Sequence, residues 1–311
     1  MKKILITGGS GTVGTAFIKE FYDHYQFYSY GRNEQKQLAL KSAFGNVELY
    51  AGSIENYSGL LDTFMKIKPD IVIHAAALKQ IEISESQPSL AIKMNLLGSL
   101  NVINASRAAG VPLTIGLSSD KACYTDNVYG STKNLMERIF FEADSQKNKF
   151  VCCRLCNVAG SEGSVIPFWL HLAQTDKPLK LTSSKMNRFM FSTRDAADLI
   201  QKAIEIASQE DSQGFLILKK IKAVNMLNLA KSISSNIEIT GKRPGEQLNE
   251  TVLRKCELPY SYEDSDYIRI CKEINLDKKS RAGKKIDTIS AEKMNQAEIR
   301  LLISTVSPCE E

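Results

Sequence analysis

The sequence lacks features that would indicate a membrane, nucleic-acid or metal-binding protein. It has no apolar run near the roughly 18 residues that a membrane-spanning helix needs. Its net charge is only +5, with scattered basic residues, so no nucleic-acid surface is expected, although an anionic small molecule would fit. The three histidines, His24, His74 and His171, lie away from any cysteine pair. We therefore predict no metal site.

The cysteine spacing and the first residues predict free thiols and no secretion signal. Its seven cysteines show no paired spacing, as expected for free thiols in a reducing compartment. The apolar stretch near the start covers only residues 4–6, which is too short for a secretion signal. We expect a cytoplasmic protein.

Short apolar runs alternate with segments of helical spacing. Predicted strands cover residues 3–6, 26–30, 46–50, 70–74, 113–117, 149–155 and 214–218. Predicted helices cover residues 12–25, 60–67, 90–109, 129–143, 193–207, 225–234 and 291–302. This alternation predicts an α/β fold: a Rossmann-type doubly wound parallel sheet with a smaller C-terminal α+β substrate domain.

A change of rhythm predicts a domain boundary near residue 158. Beyond it, Gly160, Gly163 and Pro167 mark a loop-rich segment. We predict that residues 1–158 bind the nucleotide cofactor and that residues 159–311 mainly bind substrate. Segments near 193–230 are expected to return to the first domain.

A glycine-rich turn between the first strand and the first helix predicts a dinucleotide site. Glycines allow the backbone to approach a pyrophosphate, and the helix N-terminus supplies amide groups. The predicted contacts in this turn are Gly8, Ser10, Gly11, Thr12, Val13 and Gly14. Further contacts are expected from Ala75, Ala76 and Ala77 at the end of the fourth strand and from Ser53 beside the adenine. The second strand ends without an acidic residue but with Arg32, which favours NADP over NAD.

A cluster of proton-transferring side chains lies about a hundred residues later. Ser119, Asp120 and Lys121 form a loop after the fifth strand, where ligands bind in α/β sheets. Tyr129 and Lys133 are four residues apart and share one helix face. A neighbouring ammonium favours the phenolate, which would make Tyr129 a usable base.

Several blocks in register resemble one protein family. The glycine turn, the segment 74–79, Ser118-Ser119 and the Tyr129/Lys133 pair are similar to an extended short-chain dehydrogenase/reductase. The segments 119–122, 157–161, 163–167, 188–190 and 243–250 resemble, more narrowly, the nucleotide-sugar dehydratases of polysaccharide biosynthesis, above all the soluble inverting UDP-N-acetylglucosamine 4,6-dehydratases. Two departures are Ser119 in place of the usual Thr and Ser53 in place of the usual Asp.

The resemblance implies a mechanism and a UDP-sugar substrate. Tyr129 would take the 4-hydroxyl proton, a neutral Lys121 would remove the proton on carbon 5, and a protonated Asp120 would donate to the leaving 6-hydroxyl. Ser119 and Lys133 would complete the catalytic set, and Tyr129, Lys133 and Lys79 would also contact the cofactor. The predicted substrate contacts are Lys79, Asn157, Arg188, Arg243 and Glu246. We expect a homo-oligomer, either a dimer or a hexamer.

Two alternative functions stay open. A nucleotide-sugar 4-epimerase shares Ser119, Tyr129 and Lys133 but has no need of the Asp120–Lys121 pair. A non-catalytic NADP-binding sensor is the other alternative, although an intact Tyr129/Lys133 pair argues against it.

Overall fold

The computed structural model describes residues 1–209, 213–241, 246–273 and 282–307. The strands of the described residues are, in chain order, β1 Lys2–Thr7, β2 Tyr25–Gly31, β3 Glu48–Ala51, β4 Ile71–His74, β5 Leu113–Ser119, β6 Lys149–Leu155, β7 Asn157–Val158, β8 Leu179–Leu181, β9 Asn187–Phe191, β10 Phe215–Lys219, β11 Ala223–Asn225, β12 Ile237–Ile239, β13 Thr251–Leu253, β14 Ser261–Asp264, β15 Tyr267–Cys271 and β16 Ile286–Asp287.

The helices connect these strands. They are α1 Thr12–Phe21, α2 Glu34–Ala43, α3 Tyr57–Ile67, α4 Ile81–Ser86, α5 Pro88–Ala91, α6 Gly98–Ala108, α7 Val128–Ala143, α8 Val165–Gln174, α9 Thr193–Ala207, α10 Met226–Lys231 and α11 Gln296–Ser304. A π-helical stretch, Ile92–Leu97, joins α5 to α6, and 3₁₀ turns cover Asp120–Cys123 and Lys255–Tyr260.

A large sheet forms the centre of the molecule. In the described residues its order is β14-β15-β10-β6-β5-β4-β1-β2-β3. The strands β10, β6, β5, β4, β1, β2 and β3 run parallel to one another. At the other end of the order, β15 and β14 add an antiparallel edge. The carboxyl ends of the parallel strands therefore lie along one edge of the sheet, where α/β proteins bind ligands.

Helices cover both faces of this sheet. Successive side chains of β1 point to opposite faces. Ile4 and Ile6 join the cluster that contains Phe17 of α1 and Leu199 of α9. Leu5, between them, joins a second cluster with α3 and α6. The predicted doubly wound, Rossmann-type fold is confirmed.

A smaller hydrophobic cluster lies in the second half of the chain. It joins Trp169 of α8, Leu181 of β8, Leu229 of α10 and Ile299 of α11. Strands from this half also return to the large sheet, because β10 pairs with β6. The domain boundary near residue 158 stays a prediction.

The predicted elements differ from the structure mainly in detail. Helix α9 has the predicted bounds, but the predicted helix 90–109 contains the π-helical stretch Ile92–Leu97. Helices α2, α4 and α8 were not predicted, since polar residues and loop signals obscure their spacing. Within the described residues, every helix is too short or too polar to cross a bilayer.

Candidate active site

A cavity of about 940 Å³ opens at the carboxyl edge of the large sheet. The predicted site residues that line it are Gly8, Ser10, Gly11, Thr12, Val13, Gly14, Arg32, Ala75, Ala76, Ala77, Lys79, Ser119, Lys121, Tyr129, Lys133, Asn157, Arg188 and Glu246. Sequence positions that are far apart thus meet in one space, and its size suits a pair of small ligands.

Two predicted residues with described positions, Asp120 and Ser53, do not line the cavity. Asp120 is fully buried directly behind it, against Lys121. Ser53 was predicted to contact the adenine, but it does not line the cavity. Its hydroxyl donates to Glu55 Oε2 at 3.2 Å. Its neighbours in the chain, Gly52 and Ile54, line the cavity instead. The predicted substrate contact Arg243 lies outside the described residues.

The glycine turn packs closely against the end of β4. Gly8 has φ +74°, and a Cβ there would lie 2.9 Å from the backbone nitrogen of Ala76. A Cβ on Gly14 would lie 2.6 Å from the carbonyl oxygen of Gly9. Side chains are therefore excluded at Gly8 and Gly14. The first turn of α1, which begins at Thr12, faces the cavity with amide groups that the helix does not use. The turn fits the phosphates of a dinucleotide.

Two cations lie near the junction of β2 and α2. The Arg32 side chain is 61% exposed, and its Nη1 is 3.8 Å from Glu55 Oε2. Asn33 caps α2 by accepting from the backbone nitrogen of Lys36, which brings the Lys36 side chain to the cavity wall. An ion pair as exposed as that of Arg32 is weak, so this guanidinium is available to an anionic ligand.

The catalytic segment folds tightly against α7. Ser119 caps the 3₁₀ turn by accepting from the backbone nitrogen of Lys121, and Asn127 caps α7 by accepting from Gly130. A Cβ on Gly130 would lie 2.1 Å from the carbonyl oxygen of Tyr124 and 2.5 Å from that of Lys121. Only glycine therefore permits this contact, which places Lys121 and Tyr129 in the same cavity.

The charge that acts on Tyr129 does not come from Lys133. Burial raises the pKa of Tyr129, although Lys121 and a hydrogen bond with Ser119 oppose this. Burial also lowers the pKa of Lys133 to about 8, and its Nζ donates to the carbonyl oxygen of Leu117 at 2.7 Å. The cation that favours the phenolate here is Lys121. A neighbouring ammonium thus favours the phenolate, but it is Lys121, and burial outweighs its charge, so the pKa of Tyr129 stays above its ordinary value.

Lys121 lies between two carboxylates. Its Nζ is 3.0 Å from Asp120 Oδ2, 2.7 Å from Glu250 Oε1 and 2.8 Å from Asn157 Oδ1. Arg188 Nε is 3.2 Å from the same Oε1 of Glu250. We call Asp120, Lys121, Arg188 and Glu250 the cavity cluster; its formal charges sum to zero.

The protonation of this cluster differs from the prediction of a neutral Lys121. Burial would lower the pKa of Lys121, but the charges of Asp120 and Glu250 outweigh it and hold that pKa above its ordinary value. Burial and then Glu250 raise the pKa of Asp120 to about 6, against the pull of Lys121 and Ser119. The raised pKa of Asp120 agrees with an acid. Lys121 carries the proton in this geometry and must release it before it can act as a base.

The predicted substrate contacts surround the same space. Arg188 Nη2 lies 3.6 Å from Glu246 Oε1, so this guanidinium bridges Glu246 and the cavity cluster. Lys79 Nζ donates to the carbonyl oxygen of Glu162 at 2.8 Å, and burial lowers the pKa of Lys79. Asn157 accepts from Lys121 and donates to Glu250.

One member of the cavity cluster, Glu250, and a second group of buried ions were not predicted from the sequence. Glu250 ends a segment that was noted for its resemblance, but no role was predicted for it. The second group, here called the Arg154 cluster, joins Arg154 to Glu137 and Glu257 by forked hydrogen bonds of 2.7–3.1 Å. No local signal identifies its members, because the chain brings them together from β6, α7 and the 3₁₀ turn after β13.

No grouping of three or more His, Cys, Asp or Glu side chains suited to a metal ion occurs among the residues that the structure describes. The site consists of a glycine turn for phosphates, a buried phenol and a carboxyl–amine pair. Such a site can exchange protons with a substrate hydroxyl and with a carbon atom.

Comparison with known proteins identifies the family. Residues 4–272 match the family described as polysaccharide biosynthesis protein. The chain belongs to this family. Its similarity to a UDP-N-acetylglucosamine 4,6-dehydratase (inverting) of Campylobacter jejuni (serotype O:23/36, strain 81-176) is 34% identity over 287 residues, 88% of this chain and 84% of that protein. The predicted resemblance is confirmed.

Other relatives of this polysaccharide biosynthesis protein carry different names. A UDP-glucose 4-epimerase of Rickettsia bellii (strain OSU 85-389) is 33% identical over 287 residues, which is 86% of this chain and 82% of that one. The X-ray structure of Pen from Bacillus thuringiensis has a TM-score of 0.89 at 27% identity, covering 98% of this chain and 97% of that one. A UDP-glucose-4-epimerase from Stenotrophomonas maltophila, at 16% identity and a TM-score of 0.71 over 80% of this chain and 88% of that one, shares the fold.

Proposed function

We propose that the protein is an NADP-dependent UDP-N-acetylglucosamine 4,6-dehydratase that inverts carbon 5 and supplies sugars for surface polysaccharides or glycans. The observation that carries this proposal is the placement of Lys121, backed by the buried Asp120, in the same cavity as Tyr129. Removal of water from a sugar needs an acid and a base in addition to a group that handles the 4-hydroxyl proton. The dehydratase relative from Campylobacter supports the assignment.

A nicotinamide dinucleotide is the cofactor that fits the glycine turn. Hydride uptake and return is the chemistry that it would supply when bound. Gly8, Gly11 and the first turn of α1 would hold its phosphates. The Stenotrophomonas epimerase binds NAD. For this chain we propose NADP, since Arg32, just after β2, and Lys36, in the first turn of α2, line the cavity and can pair with a 2′-phosphate.

Proton transfer would fall to three side chains. Tyr129 would take the proton of the 4-hydroxyl, with Lys121 favouring the phenolate. Lys121, once it has passed its proton to Asp120, would remove the proton on carbon 5. Asp120 would then hold a proton for the leaving 6-hydroxyl, in keeping with its raised pKa. Lys133 and Ser119 would position Tyr129.

The substrate would occupy the part of the cavity near Arg188. Arg188, Lys79, Asn157 and Glu246 would contact a UDP-sugar, with the guanidinium directed to the diphosphate. The sugar and the nucleotide would then lie between the large sheet and the second half of the chain, as the proposed division near residue 158 requires. A cytoplasmic location and a homo-oligomer belong to the same proposal.

The 4-epimerase is the second candidate, because a UDP-glucose 4-epimerase from Rickettsia is 33% identical. Mass spectrometry of the product from UDP-N-acetylglucosamine separates the two. Loss of one water supports the dehydratase. An isomer of unchanged mass supports the epimerase and contradicts the proposal, and an unaltered substrate in the presence of NADP contradicts both.

A further inference from the structure

The side chain of Glu250 connects the cavity cluster to its surroundings. It is 3% exposed and immediately precedes β13. Its Oε1 contacts Lys121 Nζ at 2.7 Å and Arg188 Nε at 3.2 Å. Its Oε2 accepts from Asn157 Nδ2 at 2.9 Å and from the backbone nitrogen of Phe189 at 3.2 Å. Each carboxylate oxygen therefore has two partners, and these contacts fix the orientation of the carboxylate.

The backbone of Glu250 is fixed as well. Its nitrogen donates to the Thr288 hydroxyl at 2.9 Å, and its carbonyl oxygen accepts from the Thr288 nitrogen at 2.8 Å. Glu250 thus joins the C-terminal part of the chain to Lys121 after β5 and to Asn157 in β7. A buried charge with this many partners is costly to assemble, which favours a role beyond stability.

The charge of Glu250 acts on both members of the Asp120–Lys121 pair. Burial opposes ionisation of Glu250, but Lys121 and Arg188 hold its pKa below its ordinary value, so it stays an anion. As an anion it favours the protonated forms of both neighbours. The titratable or charged side chains that face Glu250 are Asp120, Lys121, Tyr124, Cys156 and Arg188.

We infer that Glu250 is a positioning residue for the Asp120–Lys121 pair: its carboxylate holds Lys121 Nζ, and its charge sets the pH range over which the pair shares one proton. This inference rests on the proposed function, in which a single proton must move from Lys121 to Asp120. Below that pH range both members are protonated and no base is present. Above it neither is protonated and no acid is present.

Glu250→Gln tests the inference, because it keeps the size of the side chain and removes the charge. Loss of a negative neighbour makes both Asp120 and Lys121 release protons at lower pH. The bell-shaped dependence of water loss on pH should therefore move to lower pH by about one unit, with a rate lower by about 10-fold or more. A purely structural role would lower the rate at every pH and leave both limbs in place, which would overturn the inference.

The matched control is Glu257→Gln. Glu257 is a buried carboxylate seven residues further on, but its partners are Arg154 and Arg254. This variant should lose stability, while both limbs of its pH profile stay where they are in the wild type. Limbs that move equally in the two variants would show a general effect of destabilisation and would overturn the specific role of Glu250.

A second readout does not depend on activity. In protein labelled with ¹³C at aspartate carboxyls, the Asp120 signal is assigned by its loss in Asp120→Asn. It should titrate near pH 6 in the wild type, and about one unit lower in Glu250→Gln. Equal midpoints would overturn the inference even if the enzyme is a dehydratase. Absence of water loss from the wild type would instead overturn the proposed function, and the NMR midpoints would still decide the role of Glu250.

Discussion

Two buried clusters of ions show how similar groups are used differently in one molecule. The Arg154 cluster contains a guanidinium whose five donors are enough to give each of two carboxylates a pair of hydrogen bonds. The cavity cluster instead shares one lysine ammonium between Asp120 and Glu250. Arg154 is fully buried, whereas Lys121 lines the cavity.

The difference appears in the proton affinities. In the Arg154 cluster, Arg154 overcomes the effect of burial and lowers the pKa of Glu257 to about 2. In the cavity cluster, burial and Glu250 raise the pKa of Asp120 to about 6. A fully paired carboxylate is locked as an anion, while a carboxylate that must share its partner can exchange a proton near neutral pH. The first arrangement suits structure and the second suits catalysis.

The largest effect should come from breaking the Arg154 cluster. Arg154→Met leaves Glu137 buried without its ion-pair partner and Glu257 with Arg254 alone, so the free energy of unfolding should fall by about 3–5 kcal/mol. Urea denaturation followed by circular dichroism measures it. In the control Arg194→Met, the lost guanidinium is 68% exposed and its pair with Glu20 is worth less than about 1 kcal/mol. Equal losses in the two variants would contradict the structural role of the Arg154 cluster.

Loss of the phenol should reduce catalysis without reducing stability. In Tyr129→Phe the 4-hydroxyl proton has no acceptor, so kcat for water loss should fall by about 100-fold or more. Steady-state kinetics measures the change. The control Tyr267→Phe removes a hydroxyl from β15, outside the cavity lining, and should keep full activity. Unchanged turnover of any sugar in Tyr129→Phe would favour the non-catalytic sensor.

Neutralising Asp120 should stabilise the fold. The folded pKa of about 6 is above the ordinary value of 3.8, so the folded state binds more protons between these values and stability falls as pH rises through them. Asp120→Asn removes this cost and should raise the free energy of unfolding at pH 8 by about 1–2 kcal/mol, while abolishing water loss. The gain should disappear below about pH 4, where Asp120 is protonated in both states.

Denaturation curves at pH 4 and pH 8 test this prediction. Glu257→Gln should show the opposite sign at pH 8, because the lowered pKa of Glu257 contributes stability above the unfolded value, and this is lost as pH falls towards 2. A less stable Asp120→Asn at pH 8 would remove the contrast between the two clusters.

The smallest effect concerns the exposed cation Arg32. Arg32→Ala should weaken NADP binding by about 10-fold, since it removes one charged contact to a 2′-phosphate, and should leave NAD binding unchanged. The melting temperature without cofactor should not change, because the ion pair of Arg32 with Glu55 is exposed and long. Fluorescence titration with each cofactor measures both affinities. Equal losses for NADP and NAD would contradict the assignment.

Local patterns were enough to predict the sheet and much of the cavity wall. Residues close in the chain determine the structure of the turn with Gly8 and Gly14, which follows the apolar run of β1. The same holds for the helix face that Tyr129 and Lys133 share. Since parallel strands end at one edge, these segments had to meet there. Ser53, in contrast, does not line the cavity, and its hydroxyl donates to Glu55, two residues on.

The charge states could not be predicted from the sequence. They depend on Glu250, which is 129 residues from Lys121 in the chain but 2.7 Å from it in space. Burial decides the pKa of Tyr129 in the same way, and no local spacing reveals it. The sequence therefore predicted which acid–base side chains lie close together but not which of them holds the proton.

The most direct test of the account is proton NMR of the product formed from UDP-N-acetylglucosamine in heavy water. If Lys121 and Asp120 exchange protons with the sugar, the product lacks one water, carries deuterium at carbon 5 and has the inverted configuration there. A product without deuterium at carbon 5 would contradict the role of Lys121 and, with it, the central claim that the cavity cluster carries out the elimination.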